Sequence, residues 1–344
     1  MREEQAAKPL LDVSHLSKTF PVRQNLAEII RREPQAYVRA VEDVTFCVYQ
    51  GETLGLVGES GCGKSTLSKT LIRLYKPDDG AVMFGTYGDL ALKEGRALKE
   101  ARKAIQMVFQ DPYSSLNPKM TIRQMFYEIL SVHHLCPKEE YERRTVKILN
   151  MVGMPSYALD RYPSAFSGGQ RQRIGIARAL VMQPELLIAD EPVSALDVSI
   201  QAQIINLLME LKNKLNLTMI FISHDLRVVQ YLSDRVMVMY LGRIVEMGRA
   251  EDLFEHPAHP YTQILIQAAP VIDTHQKERE YEILGETPSL MELPKGCAFH
   301  PRCPYATERC RTEEPVMTED AAGRLVKCHR PLIGGFTMKA VQIP

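Results

Sequence analysis

Gly58-Glu59-Ser60-Gly61-Cys62-Gly63-Lys64-Ser65 fits G-x-x-x-x-G-K-[ST], a pattern whose chemistry is phosphate binding. Gly58, Gly61 and Gly63 let the backbone close around an anion without Cβ clashes, so amides such as that of Ser60 can converge on phosphate oxygens. Lys64 supplies a cation for the β- and γ-phosphates, and Ser65 offers a hydroxyl to Mg²⁺. Thr66, at the start of a helix, donates to the α-phosphate where the helix dipole also favours anions. Cys62 reads as a small filler inside the loop. ATP with Mg²⁺ is the ligand these residues imply.

Two further segments complete a reaction centre. Leu186-Leu187-Ile188-Ala189 is an apolar strand that ends in Asp190 and Glu191. Asp190 suits water-mediated Mg²⁺ binding, and Glu191, one residue on, suits a base that orients the attacking water. Phe166-Ser167-Gly168-Gly169-Gln170 heads an amphipathic helix with Ile174, Ala177 and Val181 on one face. Ser167 and the amides of Gly168 and Gly169 form a second anion-binding helix start.

These groups need a scaffold of strands that feed helices. The alternation of residues 11–22 and Val38–Val48 predicts two strands, with the charged stretch Arg23–Gln35 as a surface insertion. Thr53–Val57 is a short buried strand before the phosphate loop, and Lys64 to about Leu74 a helix after it. Helices are expected over Met120–His134, Lys138–Val152, Gly168–Met182 and Val198–Leu215. Strands are expected at Leu186–Asp190 and Thr218–Ser223, and a hairpin around Gly242 from Val236–Tyr240 and Ile244–Glu246. Strands alternating with helices imply an α/β fold on a parallel sheet.

In this order the motifs resemble those of the ATP-binding cassette (ABC) family over residues 11–250. The resemblance implies a P-loop NTPase nucleotide-binding domain: a mixed-sheet core, an antiparallel β subdomain and an inserted helical subdomain at about 112–182. Phe166–Gln170 resembles the signature, with Phe166 in place of the usual Leu. Ser167, Gly168, Gly169 and Gln170 would then complete the ATP site of a facing subunit. Gln110 resembles the Q-loop glutamine, which contacts Mg²⁺ or the attacking water and marks a hinge. Asp197, in Ser194-Ala195-Leu196-Asp197, resembles the D-loop aspartate, and His224 the switch histidine at the γ-phosphate. Phe20 matches the aromatic residue that stacks on adenine.

From Glu251 the texture changes, and residues 251–344 read as a small C-terminal extension. His256-Pro257-Ala258-His259-Pro260-Tyr261-Thr262 resembles a segment of the ATPase subunits of oligopeptide and dipeptide permeases, and of related nickel permeases. Cys297, Cys303, Cys310 and Cys328 follow with spacing C-x₅-C-x₆-C-x₁₇-C. Four thiolates can hold a [4Fe–4S] cluster or Zn²⁺. The wide first gaps, Cys303-Pro304 and the resemblance favour the cluster. His300 and His329 are neighbouring alternative ligands.

Lys+Arg and Asp+Glu are equal at 42 each, so net charge offers no case for nucleic acid. No apolar run follows the charged start, and none is long enough to span a bilayer. The resemblance therefore implies a peripheral subunit at the cytoplasmic face of a membrane. It would work with a second ATPase subunit, two membrane permease subunits and a solute-binding protein. The expected activity is ATP hydrolysis coupled to import of di- or oligopeptides. Nickel or another small solute, or a cassette ATPase outside transport, are the alternatives.

Overall fold

Alternation between buried and part-exposed residues makes β1 (Leu11–Pro21) and β2 (Tyr37–Val48) strands with one face in a core. β3 (Thr53–Val57) is buried along its whole length and feeds α1 (Lys64–Leu71). The computed structural model describes residues 8–24, 30–31, 34–111, 115–268 and 288–335. Much of the charged insertion expected at Arg23–Gln35, namely residues 25–29 and 32–33, lies outside the described residues.

In chain order there follow β4 (Asp79–Phe84), β5 (Gly88–Asp89), α2 (Gly95–Ala104) and β6 (Ile105–Val108). Three helices come next: α3 (Ile122–Val132), α4 (Tyr141–Met151) and α5 (Gly168–Leu180). β7 (Leu186–Asp190), α6 (Val198–Leu215), β8 (Thr218–Ile222) and α7 (Leu226–Leu232) continue the chain. β9 (Arg235–Tyr240) and β10 (Arg243–Arg249) precede α8 (Ala250–Glu255) and α9 (Pro260–Ala268). α10 (Glu308–Thr312), β11 (Thr318–Glu319) and β12 (Leu325–Val326) close the described chain.

The residues fall into two compact units. The first takes the chain up to Tyr49, Leu54–Leu92 and the chain from His224 onward; the second takes Gln50–Thr53 and Lys93–Ser223. In the first unit, β2-β1-β4-β5 form an antiparallel sheet. Its core includes Leu11, Val13, Val44, Phe46, Val82 and Phe84, all fully buried. β3 pairs parallel with β9, β9 antiparallel with β10, and β10 antiparallel with β12, which pairs with β11. The residues expected as a separate extension thus belong to the first unit: β12 adds to β10 through Glu246↔Val326 and Met247↔Leu325. A short segment without a large core of its own gains one by joining an existing sheet.

In the second unit, β6, β7 and β8 pair in parallel, β7 lying between the other two. β7 and β8 are buried at every position, as strands covered on both faces must be. α3 starts with a capping box built by Thr121 and Gln124.

Candidate functional site

In the first unit the phosphate loop leaves β3 and turns into α1 through three left-handed glycines: Gly58 at φ 152°, Gly61 at 79° and Gly63 at 111°. Two of them also answer to close backbone approaches. A Cβ at Gly58 would lie 2.2 Å from the Met239 carbonyl oxygen, and one at Gly63 2.0 Å from that of Ala40. No side chain caps the start of α1, and no acid stands in its first turn, where Ser65 and Thr66 sit. Lys64 is buried and curls back onto its own loop: its Nζ donates to the Gly58 and Glu59 carbonyls at 2.7 and 2.9 Å. Cys62 is buried beneath the loop, and burial pushes its thiol above its ordinary range. This fits a filler; the active thiolate of a nucleophile would need the opposite shift. Ser60 is exposed at the loop tip.

Phe20 lies on β1, opposite Val38, with Tyr75 edge-on at 5.1 Å and the Lys18 ammonium 5.4 Å from its ring centre. The ring is only half-buried, so part of it faces outward. His224 is exposed, just ahead of Asp225, whose carboxylate accepts the Arg227 amide and caps α7.

In the second unit, two residues that sequence order separates widely are brought together. Gln110 Nε2 donates to Glu191 Oε2 at 3.0 Å, across 81 positions of chain. Asp190 ends β7 and is buried. Glu191 turns the chain away with a left-handed φ of 47°, a conformation disfavoured for a residue with a Cβ. It is held by its amide, which donates to the Ile222 carbonyl at 2.9 Å, and by Ser194 Oγ, which donates to its carbonyl at 3.1 Å. Such over-determined strain is a frequent companion of reacting groups. Asp197 occupies the N-cap position of α6 without capping it by its side chain, and is exposed.

The helix α5 starts with a capping box. Ser167 Oγ accepts from the Gln170 amide, and Gln170 Oε1 accepts from the Ser167 amide at 3.0 Å. Gln170 therefore has a local role, fixing the helix start, that the sequence reading did not assign to it. Gly169 meets α6: a Cβ there would lie 2.5 Å from Ile200 Cγ2. Phe166, Ile174, Ala177 and Val181 are buried, so this helix is anchored by its apolar side while Ser167 stays exposed.

Among the C-terminal residues, Cys297, Cys303, Cys310 and Cys328 line one pocket, together with His300, His329 and His259. All seven cysteines are free thiols. Burial, then repulsion from the neighbouring thiol positions, pushes Cys303 up to about 11 and Cys328 up to about 12, and raises Cys297. Thr307 Oγ1 lies 3.3 Å from Cys310 Sγ, and the Arg330 amide donates to Cys328 Sγ at 3.4 Å. Both histidines are engaged with main chain, His300 Nδ1 at the Cys297 carbonyl and His329 Nε2 at the Glu313 carbonyl. Among the described residues, no group of three or more His, Cys, Asp or Glu side chains is gathered tightly enough to hold a metal ion. His259 is fully buried; burial depresses its imidazole to about 3, so it is neutral and accepts the Tyr261 amide at 3.0 Å.

Sequence reasoning missed Glu246. It is fully buried on β10, where its oxygens accept the Ala258 and His259 amides at 2.9 and 2.8 Å. The available signal was a lone acid in the apolar run Ile244-Val245-Glu246-Met247.

A phosphate loop, an acidic strand end joined to a glutamine, and a capped Gly-rich helix start together define a nucleotide hydrolase of the cassette type. Comparison with known proteins agrees. Residues 41–194 match the ABC transporter family, and residues 245–310 match the oligopeptide/dipeptide transporter C-terminal region. The chain is 49% identical over 323 residues to the oligopeptide transport ATP-binding protein AppF of Bacillus subtilis (strain 168), covering 93% of this chain and 97% of that one. It is 44% identical over 321 residues to the dipeptide transport ATP-binding protein DppF of Haemophilus influenzae, covering 93% and 96%. Among solved structures it resembles the ATP-binding cassette MJ0796, a dimer in a post-hydrolysis state bound to ADP and Pi. The TM-score is 0.60 at 26% identity, over 70% of this chain and 98% of that one. The chain belongs to the ABC transporter family, as an ATP-hydrolysing cassette subunit. Among the described residues no helix is long and apolar enough to cross a membrane.

Proposed function

We propose that this chain is the ATPase subunit of a peptide importer, with residues 11–250 as its cassette and 251–344 as its C-terminal region. The carrying observation is the likeness to peptide-transport ATP-binding proteins over nearly the whole chain, tail included. In this reading Gly58–Thr66 bind the triphosphate, Phe20 stacks on adenine, and Ser65, Gln110 and Asp190 serve Mg²⁺. Glu191 orients the attacking water. The Gln110 bond to its carboxylate supports this role, because it ties the residue read as the hinge to the base. His224 reads the γ-phosphate. Ser167, Gly168 and Gly169 complete the ATP site of a second cassette subunit, and Asp197 lies at that subunit's border. Two permease subunits carry the solute, and a solute-binding protein delivers it. The chain works as a peripheral subunit on the cytoplasmic face.

The four cysteines are read as ligands of a [4Fe–4S] cluster. What supports this reading is that the four line one pocket, and that the Arg330 amide and the Thr307 hydroxyl lie against Cys328 and Cys310, as groups that tune cluster sulfurs do. Bound there, a cluster supplies a cross-link that braces a small core.

The test is uptake of a labelled dipeptide by cells that express this chain with its permease subunits. Uptake that depends on Lys64 is expected. Lys64-dependent uptake of nickel without peptide would refute the peptide assignment, and no uptake of either would refute the transport reading.

A further inference from the structure

Glu59, a spacer position in the phosphate-loop pattern, is held at every polar atom. Lys64 Nζ donates to its carbonyl at 2.9 Å. Its amide donates to the Tyr261 hydroxyl at 2.9 Å. Its carboxylate takes a two-pronged grip from Arg302, with Nη1 to Oε2 at 2.8 Å and Nη2 to Oε1 at 2.9 Å. Arg302 is 5% exposed and Glu59 19%, so the pair is largely out of water. Fork-on-fork pairs of this kind fix geometry as well as charge.

Both holding residues come from the C-terminal region. Arg302 closes the turn His300–Arg302, whose Pro301 presets the backbone and whose Arg302 amide donates to the Phe299 carbonyl at 3.0 Å. Phe299 is buried against Tyr240 and Tyr261, with ring centres 5.2 and 5.3 Å away, and those two tyrosines pack at 4.6 Å. The Arg302 guanidinium lies 5.9 Å from the Tyr240 ring centre. This cluster packs Arg302 and Tyr261 from the side away from the loop contacts.

We infer that Arg302 and Tyr261 are positioning residues of the ATP site, and that the C-terminal region holds the phosphate loop in place through Glu59. Lys64 Nζ has three N–H donors, and the Gly58 and Glu59 carbonyls take two of them, so Lys64 cross-links the loop from within. Tyr261 and Arg302 hold Glu59 from outside the loop. Arg302 also neutralises a carboxylate that would otherwise face an incoming polyanion from within the loop. Loss of Arg302 leaves that anion uncompensated; loss of both charges does not.

The inference rests on the reading of Gly58–Thr66 as the triphosphate loop, and Lys64→Ala separates the two. If Lys64→Ala leaves ATP affinity unchanged, the loop reading fails. If only the variants below are silent, the brace fails. The experiment is equilibrium titration of the full-length chain with ATP. Arg302→Met should raise Kd by about tenfold, equivalent to about 1.4 kcal/mol. Adding Glu59→Gln to Arg302→Met should bring Kd back to within about threefold of the parent. Tyr261→Phe keeps the ring packing and removes only the hydroxyl, so it provides a folded variant if Arg302→Met does not fold; it should weaken ATP binding about threefold. Parental affinity in Arg302→Met, or failure of Glu59→Gln to restore it, overturns the inference, as does parental affinity in Tyr261→Phe.

Discussion

Replacing Glu246 by Ala tests why the tail begins as it does. Pro260 opens α9 without an N–H, so the amides that need partners there are those of Ala258 and His259 just before it and of Tyr261 just after. Glu246 accepts the first two at 2.9 and 2.8 Å, and His259 Nδ1 accepts the third at 3.0 Å. The carboxylate is fully buried on β10, opposite Val238 on one side and Val326 on the other, so water has no route to replace it. Glu246→Ala strands two buried donors at about 1–3 kcal/mol each, or about 2–6 kcal/mol together. Glu246→Gln keeps one carbonyl oxygen and the side-chain shape, and should cost about half as much, since it also ends the burial of a charge. The assay is native-state hydrogen exchange of the Ala258 and His259 amides in the full-length chain. At about 1.4 kcal/mol per decade, Glu246→Ala should lower their protection by roughly 30-fold to 10⁴-fold. Protection within threefold of the parent would refute the reasoning. Burial pushes the Glu246 carboxyl up from its ordinary 4.5, against the pull of the Thr262 hydroxyl, of the two amides and of Arg324. A raised folded value means that the folded chain binds the proton more tightly than the unfolded one. This contribution to stability is thus present below about pH 4.5 and is lost as pH rises through the folded value. Glu246→Gln, which does not ionise, should remove that slope.

The hydrolytic and interface readings give further outcomes. Glu191→Gln should cut ATP turnover by about 10²–10⁴-fold while ATP still binds, measured as turnover against nucleotide affinity on one preparation. Ser167→Arg should leave ATP binding at Lys64 intact and stop turnover of the assembled transporter; unchanged turnover would remove the facing-subunit role. Gly169→Ala forces a Cβ to 2.5 Å from Ile200 Cγ2 and should destabilise α5 against α6 by about 1–3 kcal/mol in chemical denaturation, with Ile200→Ala relieving most of it. Chain purified without oxygen should contain iron and sulfide, and Cys303→Ser should lose both; a parent with zinc and no iron would refute the cluster.

Where burial was periodic or continuous, the elements were legible. β3 and β7 run over the residues expected from their apolar stretches, and α6 over its 3.6-residue stripe. The region between residues 79 and 108 was not legible. α2 buries only Leu98, Ala101 and Ala104 beneath a charged face, and β5 is two residues long, so neither carries a readable period. β11 and β12 are equally short and exist because β10 offers them an edge. Within the candidate site, residue types in order singled out Gln110, Asp190 and Glu191, since each belongs to a local motif. The Gln110–Glu191 bond itself required the fold, because nothing in a linear pattern states which motif residues touch. Glu59 and Arg302 lay beyond reach for the same reason: 243 positions separate them, and Glu59 sat at a place where the motif accepts any residue.

The two segments that match families separately meet at Glu59. Glu59 lies in the stretch matched as ABC transporter, 41–194, while Tyr261 and Arg302 lie in the stretch matched as the oligopeptide/dipeptide C-terminal region, 245–310. A tail joined only by β10–β12 pairing could be exchanged between relatives as a unit. A tail that closes an ion pair on the phosphate loop cannot, because Arg302 left alone is a buried charge and Glu59 a part-buried one facing the loop. Glu59, Tyr261 and Arg302 should therefore travel together. A cassette given a foreign C-terminal region should keep its ATP affinity only when the residue at position 59 matches the side chain that the new tail presents to it.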